Sequence, residues 1–103
     1  MKKIVIIPTL NENKNIDILI SKILRIDQSL NLLFIDDNST DGTKQKIIKF
    51  SKKNKNIDYV FRKKKLGVGS AHKVGLKLAY KNKYNIAITM DADGTHNPKY
   101  IPK

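Results

Sequence analysis

The strongest chemical signal in the sequence is a pair of carboxylates, Asp91 and Asp93, directly after the apolar run 86–90. Side chains at i and i+2 of an extended chain point to the same side, so both carboxylates could bind one cation. Oxygen ligands suit a hard divalent ion and leave room for phosphate oxygens. Such an ion would stabilise charge on a departing diphosphate. A solvated turn would show the same spacing, but the preceding apolar run favours a binding site.

An apolar strand followed by Asp-x-Asp-Gly-Thr also opens the phosphatases of the haloacid-dehalogenase type, in which the first Asp is a nucleophile. Those enzymes carry the motif near the amino terminus and need a lysine and further acids downstream. Here only eight residues follow Thr95. The order of the motifs therefore argues against this alternative.

A second acidic cluster, residues 36–43 (DDNSTDGT), follows another apolar run. Read as a calcium loop from Asp37, it fails at the twelfth position, where Ile48 replaces the required Glu. The cluster is also typical of a strand-to-helix turn in which Ser39, Thr40 or Asp41 caps the next helix. Capping does not require Asp37, so we assign this carboxylate to recognition of a base or a ribose.

A glycine-rich segment, Gly67 to Gly69, precedes a predicted helix and is a natural site for an anion. It is a poor dinucleotide fingerprint, because His72 occupies the third glycine position. A flexible loop before a helix explains the glycines equally well. Of the two histidines, His96 is the better candidate for a metal or phosphate contact, since it follows Asp93 closely.

Hydrophobic periodicity predicts alternating strands and helices, and hence an α/β protein with a mainly parallel sheet and helices on both faces. Asn11 or Asn13 would cap the first helix, and Gly75 would allow the third helix to pack closely. The polar clusters then share one edge of the sheet, beyond the carboxyl ends of the strands, where ligands bind in such folds. The predicted strands are 3–7, 32–35, 57–61 and 86–90, and the helices start at 16, span 43–53 and cover 71–79.

The chain of 103 residues is strongly basic, with 21 Lys and Arg against 9 Asp and Glu and a net charge of +12. Nucleic acid, anionic lipid and phosphorylated ligands are all compatible with this charge. Because the lysines are spread over every predicted helix, solvated faces explain most of them, apart from one cluster at 62–65. Cysteine is absent, and the apolar start is too short for a signal peptide. These features indicate a cytoplasmic protein.

Together, the motifs PTLNE at 8–12, DDNSTDGT at 36–43, Arg62 with the two glycines, and MDADGTHNP at 90–98 resemble the family 2 glycosyltransferases. The sequences of the second and fourth motifs are similar to those of the polyprenol-phosphate (dolichol-phosphate) mannosyltransferases. This resemblance implies the GT-A fold, Rossmann-like, and an inverting hexosyl transfer from a nucleotide sugar such as GDP-mannose. It also implies Mg²⁺ or Mn²⁺ as cofactor and a polyprenyl phosphate acceptor, reached peripherally at the cytoplasmic membrane face.

The resemblance assigns residues to a nucleotide-sugar site. Leu10 departs from the aromatic residue common at its position in the family, which would weaken stacking on the base. Asp91 and Asp93 would be both the catalytic and the metal-binding residues. The full set expected to bind the donor is Pro8, Leu10, Glu12, Ile35, Asp37, Arg62, Gly67, Gly69, Asp91, Ala92 and Asp93.

Members of this family continue well past the Asp-x-Asp stretch, so residues 1–103 are expected to form the donor-binding part of one domain, incomplete at its carboxyl end. Three alternatives stay open. In the first, the chain is a non-catalytic nucleotide-binding module that needs a partner chain. In the second, it is a family 2 transferase that uses another sugar and acceptor. Nucleic-acid binding is the third alternative, and it rests on net charge alone.

Overall fold

The computed structural model describes residues 2–27 and 29–90, which form strands and helices in strict alternation. The predicted order is confirmed, and most ends agree within two residues of the sequence pattern. The third helix is longer than predicted, because it already begins at the glycine-rich segment. The elements are β1 (Lys3–Thr9), α1 (Ile16–Ile26), β2 (Asn31–Asp36), α2 (Thr43–Lys53), β3 (Ile57–Phe61), α3 (Val68–Lys81) and β4 (Ile86–Thr89).

The strands form one sheet in the order β3-β2-β1-β4, and every pairing is parallel. β1 and β2 are central, so both of their faces are covered, and their long apolar runs are almost fully buried. The chain moves outward from β1 to β3 and then crosses back to place β4 on the other side of β1. The topological switch point therefore lies between β1 and β4.

Helices cover both faces of the sheet, as predicted. α1 and α2 pack on the side of Val5 and Ile7, while α3 packs on the side of Ile4 and Ile6. The larger of the two core layers is on the α1/α2 side and is centred on the fully buried Phe34. The two layers fix the sheet between them and hold the carboxyl ends of its strands in place.

Gly75 brings α3 against the sheet, and the prediction of close packing at this residue is confirmed. A Cβ atom added there would lie 2.3 Å from Cγ2 of Ile6, well inside van der Waals contact. Ala71 and Ala79, one turn before and after, are also buried. A stripe of small residues thus lets α3 approach β1 more closely than larger side chains would allow.

β1 continues two residues beyond its predicted end, through Pro8. Proline lacks the N–H that a central strand normally needs. Ile6 accepts a hydrogen bond from Met90 on the β4 side, and Pro8, two residues later, faces the same side. The β4 pairing has already ended there, at Ile6 with Thr89. Within residues 2–27 and 29–90, no ladder position therefore calls for the missing donor.

Candidate functional site at the carboxyl edge of the sheet

The loops after β1 and β2 meet at the carboxyl edge of the sheet, and a buried carboxylate organises them. Asp36 is completely buried. Its Oδ1 accepts hydrogen bonds from the hydroxyls of Thr9, at 2.5 Å, and Ser39, at 2.6 Å, while its Oδ2 accepts from the Ser39 amide at 2.8 Å. Asp36 is therefore committed to shaping the edge, because protein donors already surround its carboxylate.

Further hydrogen bonds join the same two loops, and we call this set of contacts the seam. The Asn11 amide donates to the Ser39 hydroxyl at 2.8 Å, and the Thr40 amide donates to Oδ1 of Asn11 at 2.8 Å. Glu12 donates its amide to the Thr43 hydroxyl at 2.9 Å. These bonds link residues 28 to 31 positions apart, so the two loops form a single rigid unit.

The predicted side-chain caps of α1 are wrong. Neither Asn11 nor Asn13 caps α1, which begins after Asn15 without a side-chain cap. The Glu12 carbonyl instead accepts from the amides of Asn15, at 2.9 Å, and Ile16, at 3.0 Å. The Asn11 side chain accepts a hydrogen bond from the other loop, and the backbone N–H of Asn13 donates to Asp41.

The start of α2 is closer to the prediction. Its N-cap position is Gly42, with φ of 100°, so none of the three predicted residues occupies that position. Asp41 nevertheless stabilises the first turn, because its Oδ1 accepts from the amide of Thr43 at 3.1 Å and from its hydroxyl at 2.5 Å. A left-handed backbone at residue 42 explains why glycine stands there.

Asp37 and Arg62 form the second buried feature of the edge. Nε of Arg62 lies 2.5 Å from Oδ1 of Asp37, and both side chains are more than nine-tenths buried. The other guanidinium nitrogens donate to the hydroxyl of Ser70 and the carbonyl of Gly67. Oδ2 of Asp37 accepts from the amides of Leu66 and Gly67, each at 3.0 Å. Asp37 thus ties the end of β2 to the loop that leads into α3.

These contacts decide the charge state of Asp37. Burial by itself raises the pKa of this carboxyl group, but the bonds from Arg62 and from the two loop amides outweigh it, and the pKa lies below its ordinary value. Asp37 is therefore ionised at neutral pH. A carboxylate offers about four acceptor sites, and three protein donors use them here. Among the donors of the described residues, these three leave about one acceptor site of Asp37 unused, which suits a base N–H or a ribose hydroxyl.

The predicted anion site at the glycines is partly used by the protein itself. Gly67 has φ of 92°, which glycine adopts without strain, and its amide is bound to Asp37. The first-turn N–H groups of α3, from residue 68 onward, have no partner within the helix. Gly69 lies in that turn, and a Cβ atom there would meet nothing within 4 Å. Open space and free N–H groups suit a phosphate better at Gly69 than at Gly67.

The remaining predicted residues of the nucleoside site occupy different depths. Pro8 and Ile35 are register partners in adjacent strands and both are buried, so they form the floor beneath the edge. Leu10 and Glu12 are half-buried in the loop above. The edge thus offers apolar side chains below and both an apolar and a polar side chain above, a lining that suits a nucleoside.

The family model for glycosyl transferase family 2 matches residues 4–103 of this sequence. The chain belongs to glycosyl transferase family 2. The match includes β1 through β4 and both buried carboxylates of the edge, so the resemblance inferred from the four motifs is confirmed. The fold prediction is confirmed with it.

Named relatives agree with the branch suggested by the motifs. The chain is 39% identical to the dolichol-phosphate mannosyltransferase of Pyrococcus furiosus, over 100% of this chain and 29% of the relative. It is 28% identical to the polyprenol monophosphomannose synthase of Mycolicibacterium smegmatis, over 99% of this chain and 39% of the relative. The chain therefore spans about two fifths or less of the length of these relatives.

A solved structure supports the same placement. The mannosyltransferase PcManGT from Pyrobaculum calidifontis, in complex with GDP-Man and Mn²⁺, superimposes with a TM-score of 0.76 at 26% identity. The superposition includes 89% of this chain and 27% of that chain. The architecture expected for a GT-A glycosyltransferase is thus present in residues 2–27 and 29–90.

The Asp-x-Asp stretch of this family 2 chain, with Asp91, Ala92, Asp93 and His96, lies outside the described residues. Within residues 2–27 and 29–90, no three His, Asp or Glu side chains come together as a metal site would require.

His72 lies near the start of α3, and its Nε2 is buried without a partner in the described part of the chain. Over the same residues, no helix has the length and apolarity needed to cross a bilayer.

Sequence reasoning missed the seam between the two loops, including the parts played by Thr9 and Thr43. Short polar side chains in both loops were the available signal, because Asn, Ser, Thr and Asp readily bind nearby backbone groups. Their pairing across about thirty residues was not visible in the sequence, since helix capping explained the same residues locally.

Proposed function

We propose that this chain is the donor-binding part of a glycosyltransferase that transfers mannose from GDP-mannose to a polyprenyl phosphate, with inversion at the anomeric carbon. Membership of family 2 supports the reaction class. The names of the relatives, which include dolichol-phosphate mannosyltransferase, support the sugar and the acceptor class. The superimposable mannosyltransferase with GDP-Man and Mn²⁺ supports the donor.

The observation that carries the proposal is the buried Asp37 carboxylate at the carboxyl edge, which keeps about one acceptor site unused by donors of the described residues. Such a group recognises the N–H of a base or a hydroxyl of the ribose at little entropic cost, because Arg62 and the loop amides already fix its orientation. Pro8 and Ile35 would support the nucleoside from below, and Leu10 and Glu12 would flank it. The N-terminal turn of α3 at Gly69 would face the diphosphate.

A divalent cation fits the carboxylates of the Asp-x-Asp stretch. The buried carboxylates among the described residues are occupied by protein donors, whereas Asp91 and Asp93 supply hard oxygen ligands of the kind Mg²⁺ and Mn²⁺ prefer. These two residues would hold the ion, with Ala92 between them beside the diphosphate. When bound, the ion supplies charge stabilisation for the departing nucleoside diphosphate.

The acceptor requires little activation by the protein. A lipid phosphate is already anionic near neutral pH, so its oxygen can attack the anomeric carbon without a strong base. The bond from that carbon to the diphosphate breaks as the new bond forms on the opposite face, and the nucleoside diphosphate leaves with the electron pair. The part of the protein described here therefore contributes mainly by binding and orienting the donor.

Calorimetry with GDP, in the presence and absence of Mn²⁺, tests donor binding. We expect Mn²⁺ to increase the affinity for GDP, and we expect Asp91→Ala to abolish that increase. Asp58→Ala is the matched control, because Asp58 is an exposed carboxylate on β3, away from the carboxyl edge. An equal Mn²⁺ effect in Asp91→Ala and in the unmodified chain would exclude the assigned metal residues.

A separate assay tests the transfer. Radiolabelled GDP-mannose is incubated with polyprenyl phosphate and the chain, and the lipid product is extracted and counted. The chain could bind GDP but transfer no mannose until a second polypeptide is added. That result would support the alternative of a nucleotide-binding module that needs a partner chain. Preference for UDP over GDP in the calorimetric experiment would instead indicate another donor sugar.

A further inference from the structure

The loop between β3 and α3 is fastened at both ends and displays its middle to solvent. At its start, the Arg62 amide donates to the Asp36 carbonyl at 2.8 Å. At its end, the Leu66 and Gly67 amides bind Asp37, and the Arg62 guanidinium reaches across to the Gly67 carbonyl at 3.1 Å. Residues 63–66, which we name the lysine loop, run from the first attachment to the second and are all exposed.

We propose that the lysine loop docks the carboxyl edge of the sheet onto an anionic lipid surface. Lys63, Lys64 and Lys65 would bind the headgroups, and Leu66, which is 49% exposed, would enter the boundary between headgroups and acyl chains. This proposal rests on the proposed function in one respect, since a polyprenyl phosphate acceptor requires the donor site to face a membrane.

The charge of the loop is not paired within residues 2–27 and 29–90. Lys63, Lys64 and Lys65 form no ion pair with any residue in the described part of the chain. The two acids at the end of the adjacent strand β2 do not offset this charge, because Asp36 is completely buried and Asp37 is bound to Arg62. Three adjacent cations that pair with no acid of the described residues therefore present a concentrated positive potential beside the donor site.

The composition of the loop favours lipid over nucleic acid. Proteins that bind single-stranded nucleic acid use exposed aromatic rings on which bases stack. Among the described residues, the rings on the preceding strand β3, Tyr59 and Phe61, stack with their centroids 4.6 Å apart and are half-buried. The lysine loop instead carries an exposed aliphatic side chain next to its charges, the combination found in proteins that bind membrane interfaces.

A second surface has related chemistry and serves as the competing site. The outer side of α3 exposes Leu76, at 45%, and Tyr80, at 88%, in a helix that contains lysines and no acid. This part of α3 lies towards the opposite end of the sheet, where Nζ of Lys2 donates to the carbonyl of Asn82. Docking through it would not bring the donor site to the lipid.

Sedimentation with vesicles tests the proposal, using phosphatidylcholine alone or mixed with phosphatidylglycerol at physiological ionic strength. We expect binding only to the mixed vesicles. The triple variant Lys63→Gln, Lys64→Gln, Lys65→Gln should bind about 100-fold more weakly, since each lysine near an anionic surface contributes roughly fivefold. Leu66→Ser should weaken binding about tenfold through the lost burial of its side chain.

Two controls separate the lysine loop from general charge. The triple variant Lys49→Gln, Lys52→Gln, Lys53→Gln removes the same charge from exposed positions of α2. These positions are roughly 9 to 15 Å from the start of that helix, beyond a Debye length of about 8 Å, so we expect a loss below about threefold. Tyr80→Ser, on the competing surface of α3, should bind as the unmodified chain does.

Specific results would overturn the proposal. Equal losses in the two triple variants would show that binding depends on net charge alone. Release by Tyr80→Ser but not by Leu66→Ser would assign docking to α3, and retention on DNA that depends on the lysines but not on Leu66 would assign the loop to nucleic acid. GDP binding, measured in the same variants without vesicles, reports on the proposed function separately.

Discussion

Replacing Arg62 with Met should destabilise the fold strongly, because it leaves the Asp37 carboxylate buried without its counter-ion. Met has a similar length but no donor, so all three hydrogen bonds of the guanidinium are lost. Removing one partner of a buried pair typically costs about 3–5 kcal/mol. Asp37 keeps two amide donors, so we expect the lower end of that range, about 3 kcal/mol.

A loss of this size in the free energy of unfolding can be measured while the variant still folds. A domain of this length has a free energy of unfolding of roughly 5–15 kcal/mol, so the variant should remain folded in buffer. Urea titration followed by circular dichroism gives the loss directly. Lys46→Met is the matched control, because the ion pair of Lys46 with Asp17 is 33% and 49% exposed. An exposed pair of that kind contributes at most about 1 kcal/mol.

The double variant Arg62→Met, Asp37→Asn completes the test. If the cost in Arg62→Met comes from a stranded charge, then neutralising Asp37 should recover part of it, and the two changes should be non-additive by about 1 kcal/mol or more. Additive losses, or a cost for Arg62→Met no larger than that of Lys46→Met, would refute the reasoning that this pair holds the loop to β2.

Three further outcomes are expected. Gly75→Ala should lower the free energy of unfolding by about 1–3 kcal/mol through overpacking, and a urea titration should show part of that cost disappearing when Ile6 is also replaced by Ala. Because the pKa of Asp37 is lowered in the fold, its contribution is present above the unfolded pKa and lost as the pH falls below about 4. Acid titration of Asp37→Asn should therefore show a shallower loss of stability, and an unchanged slope would contradict the assignment. Thr43→Val should cost about 1–2 kcal/mol, measured by thermal unfolding, and a cost near zero would show that the seam is dispensable.

Much of the fold was predictable because local signals agreed with one another. Apolar runs such as 32–35 are too short for helices and too continuous for one-sided strands, which leaves buried parallel strands. Gly75 in an amphipathic pattern indicated close packing, and the structure shows the contact with Ile6 that requires it. The end of β1 was missed, since Pro8 reads as a strand terminator until the position where β4 ends is known.

The candidate site was predictable in its position but not in its internal bonding. Asp37 was assigned to nucleoside recognition on the basis of its place after a strand. Its pairing with Arg62 depends on a contact between residues 25 positions apart, which no local pattern reveals. The cap assigned to Asn11 was wrong for the same reason, because its side chain binds the Thr40 amide in the next loop instead of the nearby helix end. The cap assigned to Asn13 was also wrong, since α1 begins after Asn15.

The seam between the first two loops has a consequence for how this protein can change. Since Asn11 binds the Thr40 backbone and Thr43 binds the backbone of Glu12, neither loop can be remodelled without disturbing the other. Substitutions in the two loops should therefore covary among homologues. Selection for a different base in the donor should succeed more often when libraries vary both loops together than when each loop is varied separately.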